Sequence, residues 1–272
     1  MRLLRLIPLA ALFFVGACDE AGTVKNSALP PLAFVRYVNA VPDVPTLDFK
    51  FIDGIEFSPS YANSPFRTVG IYQGARAGSR TVRVFRNSTI IDTTKIVIGN
   101  ATLTLVAGNY YTILHSGYTN VANGTAATIT LIDDTRPAQS VTQVHVSAVN
   151  TSRLATTDFH ATALTTTTLV ASVPFASAVA SGARSAYVAR ATGAFAVQGA
   201  AAASAVSLAA AAPIAGVAGT VLVDPVAGHS QVGTQFTAFF FAPSIAGSGA
   251  ASFTTSGITI VADRQPPRTV PD

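Results

Sequence analysis

Apolar and polar residues alternate with a period of two through much of the chain. Phe49 and Phe51 flank Lys50, Val82 and Val84 flank Arg83, Leu103 and Leu105 flank Thr104, and Ile129 and Leu131 flank Thr130. Successive side chains of a strand point to opposite faces, so the pattern predicts strands with one packed face and one wet face. Asp53-Gly54, Gly99-Asn100, Gly108-Asn109 and Asn123-Gly124 fall between such runs and are expected to be turns, where positive φ favours Gly or Asn. Many short strands at this spacing predict an all-β protein built from two-sheet, immunoglobulin-like sandwiches.

The opening pattern occurs twice. Val38-Asn39-Ala40-Val41 matches Val146-Ser147-Ala148-Val149, and Asp48-Phe49 matches Asp158-Phe159. Near the ends, ITLIDDTRP from Ile129 matches ITIVADRQP from Ile258, and the second copy holds the extra residues. Two tandem modules follow, 33–137 and 138–266, with a short tail at 267–272. In each, a first strand is expected to turn and return as a second. In the first copy Val35–Val41 and Leu47–Ile52 are joined by Pro42-Asp43-Val44-Pro45, whose prolines fix φ and remove donors.

Before these modules lies a different kind of sequence. MRLLR is basic, Leu6–Val15 is an apolar run, and Val15-Gly16-Ala17-Cys18 closes it with small residues. The run is too short to span a bilayer as a helix, which needs about 20 apolar residues, and fits a signal peptide over 1–17. Its ending resembles the lipobox of bacterial lipoproteins. That resemblance implies lipidation of Cys18 and cleavage just before it. Cys18 is the only cysteine in the chain, which gives this thiol a purpose and leaves no disulfide to hold the fold. From 18 to 32 the charged, Gly-, Ser- and Pro-containing sequence reads as the lipidated cysteine and a flexible tether.

Composition narrows the function. With 49% hydrophobic and 11% charged residues the chain can build substantial cores. Its net charge of +4 falls by two if Arg2 and Arg5 leave with the leader, too little for a nucleic-acid footprint. Arg76, Arg80, Arg83 and Arg86 do not line one strand face and read as a solvated surface. The Ala-rich stretch 191–223 carries no charge and is expected to form strands or irregular loops with at most one short helix. It is also the expected protein-binding surface.

FVRYVNAVPDVPTLDF from Phe34, LVAGNYYTILHSG from Leu105 and LIDDTRP followed by a second VxVSAVN together resemble the bacterial domain-of-unknown-function family 4397, over 33–150 and more weakly beyond. The resemblance implies β-sandwich modules in the cell envelope and no activity.

No catalytic motif emerges. GHSQVG at Gly228 lacks the second glycine of a nucleophile elbow, and HExxH, P-loop and CxxC patterns are absent. Asp43, Asp48 and Asp53 lack the spacing of a calcium loop and read as turn caps and strand positions. His115, His145, His160 and His229 are scattered; Asp158 and His160 share a strand face, where an exposed His beside an acid is expected. Asp133-Asp134 reads as end-of-strand turn chemistry. Tyr61, Tyr72 and Tyr118 are the loop aromatics that could meet a glycan. No catalytic, cofactor or metal residues are therefore expected, and the only site residue is Cys18. Two function classes remain. One is an exported, membrane-anchored noncatalytic module, structural or binding an envelope protein or glycan but not nucleic acid. The other is an envelope enzyme whose site is assembled from loops.

Overall fold

Valine, isoleucine, threonine and the aromatics dominate the runs that become strands, and their branched or planar side chains fit a pleated, half-buried surface. The computed structural model describes residues 29–268 except 153, 167, 171 and 251. Cys18 and the signal peptide expected over 1–17 lie outside the described residues. The first module contains β1 (Leu32–Ala40), β2 (Thr46–Phe51), β3 (Ser60–Pro65), β4 (Gln73–Arg76), β5 (Gly78–Arg86), β6 (Val97–Leu105), β7 (Tyr110–Ser116) and β8 (Thr128–Asp133). A four-residue helix, Ile91–Thr94, and a 3-10 turn, Val121–Asn123, interrupt it. The second contains β9 (Gln143–Asn150), β10 (Thr156–Thr162), β11 (Ala176–Ala180), β12 (Val188–Ala191), β13 (Ala196–Ala201), β14 (Ala209–Ala211), β15 (Gln235–Phe241) and β16 (Gly257–Arg264).

The duplication is complete at the level of topology. One module pairs its strands as β4-β1-β7-β8 and β3-β2-β5-β6, and the other as β12-β9-β15-β16 and β11-β10-β13-β14. In both, the first strand runs parallel to the seventh, β1 to β7 and β9 to β15, within an otherwise antiparallel sandwich. Each sandwich is filled by its own inward residues, with Val35, Tyr37, Phe49 and Ile113 in one and Val146, Phe159, Val197 and Phe240 in the other.

Structural equivalence corrects the register of the repeat. Asn39 corresponds to Asn150, not to Ser147. Each of these asparagines accepts from the backbone N–H two residues on, Val41 or Ser152, and donates its amide across the turn, to the carbonyl of Ser64 or of Val179. Asp48 and Asp158 do correspond: each accepts from a residue with positive φ, Asn63 or Ala178. The apolar letters of β1 and β9 allow a shifted match because valine recurs at either parity.

The expectation of one wet face holds for β2 and β5 but fails at the centre. β15 is buried along its whole length, and β1 and β9 nearly so. Their outward residues meet across a seam between the modules. Val38, Leu114, Phe66, Val149, Phe239 and Phe241 form a third core there. Pro31–Asp272 accordingly clusters as one compact unit.

Turns divide in the same way. Gly108 and Gly124 adopt positive φ between strands as expected. Gly99-Asn100 instead lies inside β6, where a Cβ on Gly99 would stand 3.0 Å from His115 Nε2. The Ala-rich stretch forms β13, β14 and connecting turns, with no helix among its described residues. Helix propensity loses because small residues are needed under β15: a Cβ on Gly199 would lie 2.6 Å from the Phe240 ring. The extra length of the second module is concentrated at 212–234, between β14 and β15, where the first module has only the short turn before β7. It therefore overlaps only the end of the Ala-rich stretch. No helix among the described residues is long and apolar enough to cross a membrane.

Candidate functional site

The seam buries charge. Arg36 projects from β1 on the face opposite Val35 and Tyr37, and Asp134 follows β8; Arg184 precedes β12, and Asp263 lies in β16. Arg36 Nη1 donates to Asp263 Oδ1 at 2.6 Å, and Arg184 Nη1 donates to Asp134 Oδ1 at 2.6 Å. Each module's arginine thus makes its close bond to the other module's aspartate. Weaker approaches of 3.5 Å from Arg36 to Asp134 and 3.8 Å from Arg184 to Asp263 close the box.

Neutral partners surround it with a pseudo-twofold pattern. Tyr72 and Thr112 donate to Asp134 Oδ2 at 2.7 and 2.6 Å, and Tyr187 and Thr237 donate to Asp263 Oδ2 at 2.6 and 2.5 Å. The arginines break the symmetry: Val149 bridges Arg184 as Val38 bridges Val69, and Ser147 occupies the place of Arg36. Burial pushes the Asp263 carboxyl up, but Arg36 and Arg184, with the hydroxyl bonds, outweigh it and hold the pKa below its ordinary value. Burial likewise opposes the charge on Arg36, and Asp263 and Asp134 more than offset it, so the guanidinium titrates above its usual range. Two positive and two negative charges neutralise one another in a packed, bonded cluster. Its chemistry is that of a clamp.

A polar cleft of about 390 Å³ opens beside the clamp, lined by Asn109, Tyr110, Asp133, Thr135, Arg136 and Arg264. Arg136 stacks its guanidinium 3.4 Å from the centre of the Tyr110 ring and donates Nη1 to the Asp263 carbonyl. Its Nε and Nη2 are buried, with no hydrogen-bond partner among the described residues. The cleft has the exposed Arg264 beside the exposed acceptors of Asp133 and Thr135, a mixed lining suited to hydroxyl, amide or carboxylate groups. At the opposite end of the seam, Tyr118, Leu154, Leu208, Phe240, Pro243 and Ile245 line a more apolar hollow of about 290 Å³.

The residues singled out in the sequence are dispersed. Asp43 accepts from the N–H groups of Thr119 and Asn120, Asp48 from Asn63 and Asn87, and Asp53 from Arg80 and Thr81. They hold three separate turns, and among the described residues no group of three metal-ligating side chains forms. Arg80 departs from the solvated surface expected of it: it is buried against the Phe51 ring and paired with Asp53 at 2.9 Å, whereas Arg76, Arg83 and Arg86 are exposed.

His160 and Asp158 are also buried, contrary to the exposed pair expected on β10. Asp158 accepts from the backbones of Ala178 and Ala203, and His160 Nδ1 lies 3.1 Å from the Ser172 hydroxyl. His115 sits in the first core, 3.2 Å from the Tyr37 hydroxyl, and burial lowers its pKa to about 4. Asp133 caps Thr135, the end-of-strand role expected, while Asp134 turns inward to the clamp. The three loop tyrosines offer no exposed ring: Tyr61 and Tyr118 are buried, and Tyr72 is held over Arg36.

Arg36, Arg184 and Asp263 were not singled out by motif. Two signals in the sequence mark Arg36 and Asp263, an arginine inside the apolar run Phe34–Val41 and the alignment of Asp134 with Asp263 through ITLIDDTRP and ITIVADRQP, and none marks Arg184.

Comparison with known proteins bears on the first module. Residues 33–161 match the profile of a domain of unknown function, DUF4397, a span that covers all of the first module and continues through most of β10. No curated protein matches the sequence. Among solved structures, a candidate cell adhesion protein from Parabacteroides distasonis ATCC 8503 is 11% identical, over 85% of this chain and 99% of that one, with a TM-score of 0.23. A second candidate cell adhesion protein, from Bacteroides fragilis NCTC 9343, is 7% identical over 88% and 100%, with a TM-score of 0.20. The fimbrial anchor protein of Porphyromonas gingivalis is 10% identical over 87% and 99%, with a TM-score of 0.19.

Proposed function

We propose that the protein is an exported, noncatalytic binding module of the bacterial cell envelope, anchored to a membrane by lipid on Cys18. The observation that carries this reading is the sequence of parts: a leader ending in the sole cysteine, a tether, and then two sandwiches clamped into one body. The family match over 33–161 supports the envelope assignment through the resemblance set out above. Support for a noncatalytic role comes from the bonding of the titratable groups. Asp43, Asp48, Asp53, Asp134, Asp158 and Asp263 are each engaged in holding a turn or the seam.

The polar cleft beside Arg136 and Arg264 is the binding site in this reading, and its mixed donors and acceptors suit an envelope glycan or a peptide segment of an envelope protein. Crosslinking in cells with the full-length chain, followed by affinity capture, tests it alongside Cys18→Ala and Arg264→Glu variants. The expected result is an acylated amino-terminal peptide at Cys18 and a discrete partner or glycan that both variants lose. A protein without acyl mass refutes the anchor, and capture that is unchanged in Arg264→Glu refutes the cleft.

A further inference from the structure

We propose that the end of the molecule where the tether enters is a bilayer-docking face, with the 212–234 loop as its apolar finger. The inference takes the nearness of a membrane from the Cys18 anchor, and its test separates the two.

Tether and finger share one end. The Leu32 carbonyl accepts from Gly108 at 2.7 Å, so the chain enters beside the turn that precedes β7. The cleft lined by Asn109, Tyr110 and Arg264 joins this turn to the last residue of β16. Gln139, in the linker between modules, donates to the carbonyls of Gly233 and Gln265 at 3.2 and 2.6 Å. The root of the finger therefore lies at the same end of the seam as the point of entry.

The finger is a built element. Val217 and Val226 exchange both backbone bonds, and Thr220 closes the tip, donating its N–H to the Val223 carbonyl and accepting from Leu222 and Val223 on its hydroxyl. Asp224 pairs with Arg268, which ties the tip to the tail beyond β16. What this turn displays is Val221, Leu222 and Val223, all exposed, with Leu222 at 92%. Turn tips ordinarily carry Gly, Asn, Asp or Ser, and three consecutive aliphatic residues in water are unfavourable unless something covers them.

The loops at this end repeat the feature: Ile55, between β2 and β3, is 97% exposed, and Val141 and Val173 are also exposed. Charge among them is mixed: Arg76 and Arg264 are exposed at the strand ends, and Asp53, Glu56 and Asp224 are exposed in the loops. Apolar tips gathered at the end where the chain enters match the acyl boundary of a bilayer, into which aliphatic side chains insert. A tether of 14 residues from Cys18 spans at most about 50 Å, which keeps this face within reach of the membrane that holds the lipid.

The chain's single cysteine supplies the test. Lipidation converts Cys18 to a thioether, so Leu222→Cys in the lipidated full-length protein can be labelled at one position with an environment-sensitive fluorophore. The same label goes on Val121→Cys, at the far end of β7. Both proteins are reconstituted in phosphatidylethanolamine and phosphatidylglycerol vesicles carrying a nitroxide-labelled lipid. In parallel, Cys18→Ala versions are added to the same vesicles from solution.

Quenching at 222 several-fold above that at 121 is the expected result. If acyl mass is absent but the label at 222 of the added chain is still quenched, docking stands and the anchor falls. If the protein is anchored and 222 remains as accessible to water as 121, docking is refuted with the anchor intact. Shielding of 222 that rises with protein concentration in the absence of vesicles assigns the finger to a second copy of the chain and also overturns the proposal.

Discussion

Replacing Asp263 by Asn retains the shape of the side chain and removes its charge from the seam. Arg36 then loses its 2.6 Å partner, Arg184 loses its second carboxylate, and the cluster carries one unbalanced positive charge away from water. Leaving a buried ion unpaired costs about 3–5 kcal/mol, against which the retained hydroxyl bonds to Tyr187 and Thr237 offset little. For a body of this size that corresponds to a fall of roughly 6–20 °C in Tm. Urea unfolding, followed by far-ultraviolet circular dichroism and by tyrosine fluorescence, measures it, the chain having no Trp.

The pH dependence supplies a sign. Asp263 is held below its unfolded value of 3.8, so its stabilisation is fully present above that value and disappears as pH falls through the folded pKa. The deficit of Asp263→Asn should be largest near neutrality and shrink in acid. A paired replacement, Arg36→Met with Asp263→Leu, leaves Arg184 with Asp134 and should recover most of the loss. A single-mutant cost below about 1 kcal/mol, or a double mutant equal to the sum of its parts, would refute the clamp.

Three further outcomes follow from the packing. Phe239→Ala, emptying the third core and removing the ring beneath Arg36, should cost about 3–5 kcal/mol and separate one unfolding transition into two as the modules lose their coupling, which calorimetry resolves. His115 has a folded pKa of about 4 against 6.5 unfolded, so stability should decline as pH drops from 6.5 toward 4, by about 3 kcal/mol in all, and His115→Gln should flatten that part of the urea-midpoint profile. Gly117→Ala should destabilise by more than about 1 kcal/mol, because φ is +110° and the new Cβ would stand 2.5 Å from the Ala126 carbonyl; an unchanged Tm in a thermal melt would contradict this.

Much of this architecture was legible in the residues themselves. Alternation of the kind seen around Lys50 and Arg83 fixes strand identity, because a period of two is a local property of extended backbone. The repeated LDF and TDF stretches and the matching ends reveal two copies of one module. What local pattern could not supply was the meaning of a polar residue on the outward face. Arg36, Thr112, Ser147 and Thr237 occupy the positions that alternation assigns to water, and they lie at the centre of the molecule. A strand's outward face is polar or apolar by sequence, but whether it meets solvent or a second sandwich depends on what docks against it. The same reason hid the partnership of Arg36 with Asp263 and of Arg184 with Asp134. Those pairs join residues far apart in the chain from non-equivalent places in the repeat, so only the docking of the two modules brings each charge to its partner.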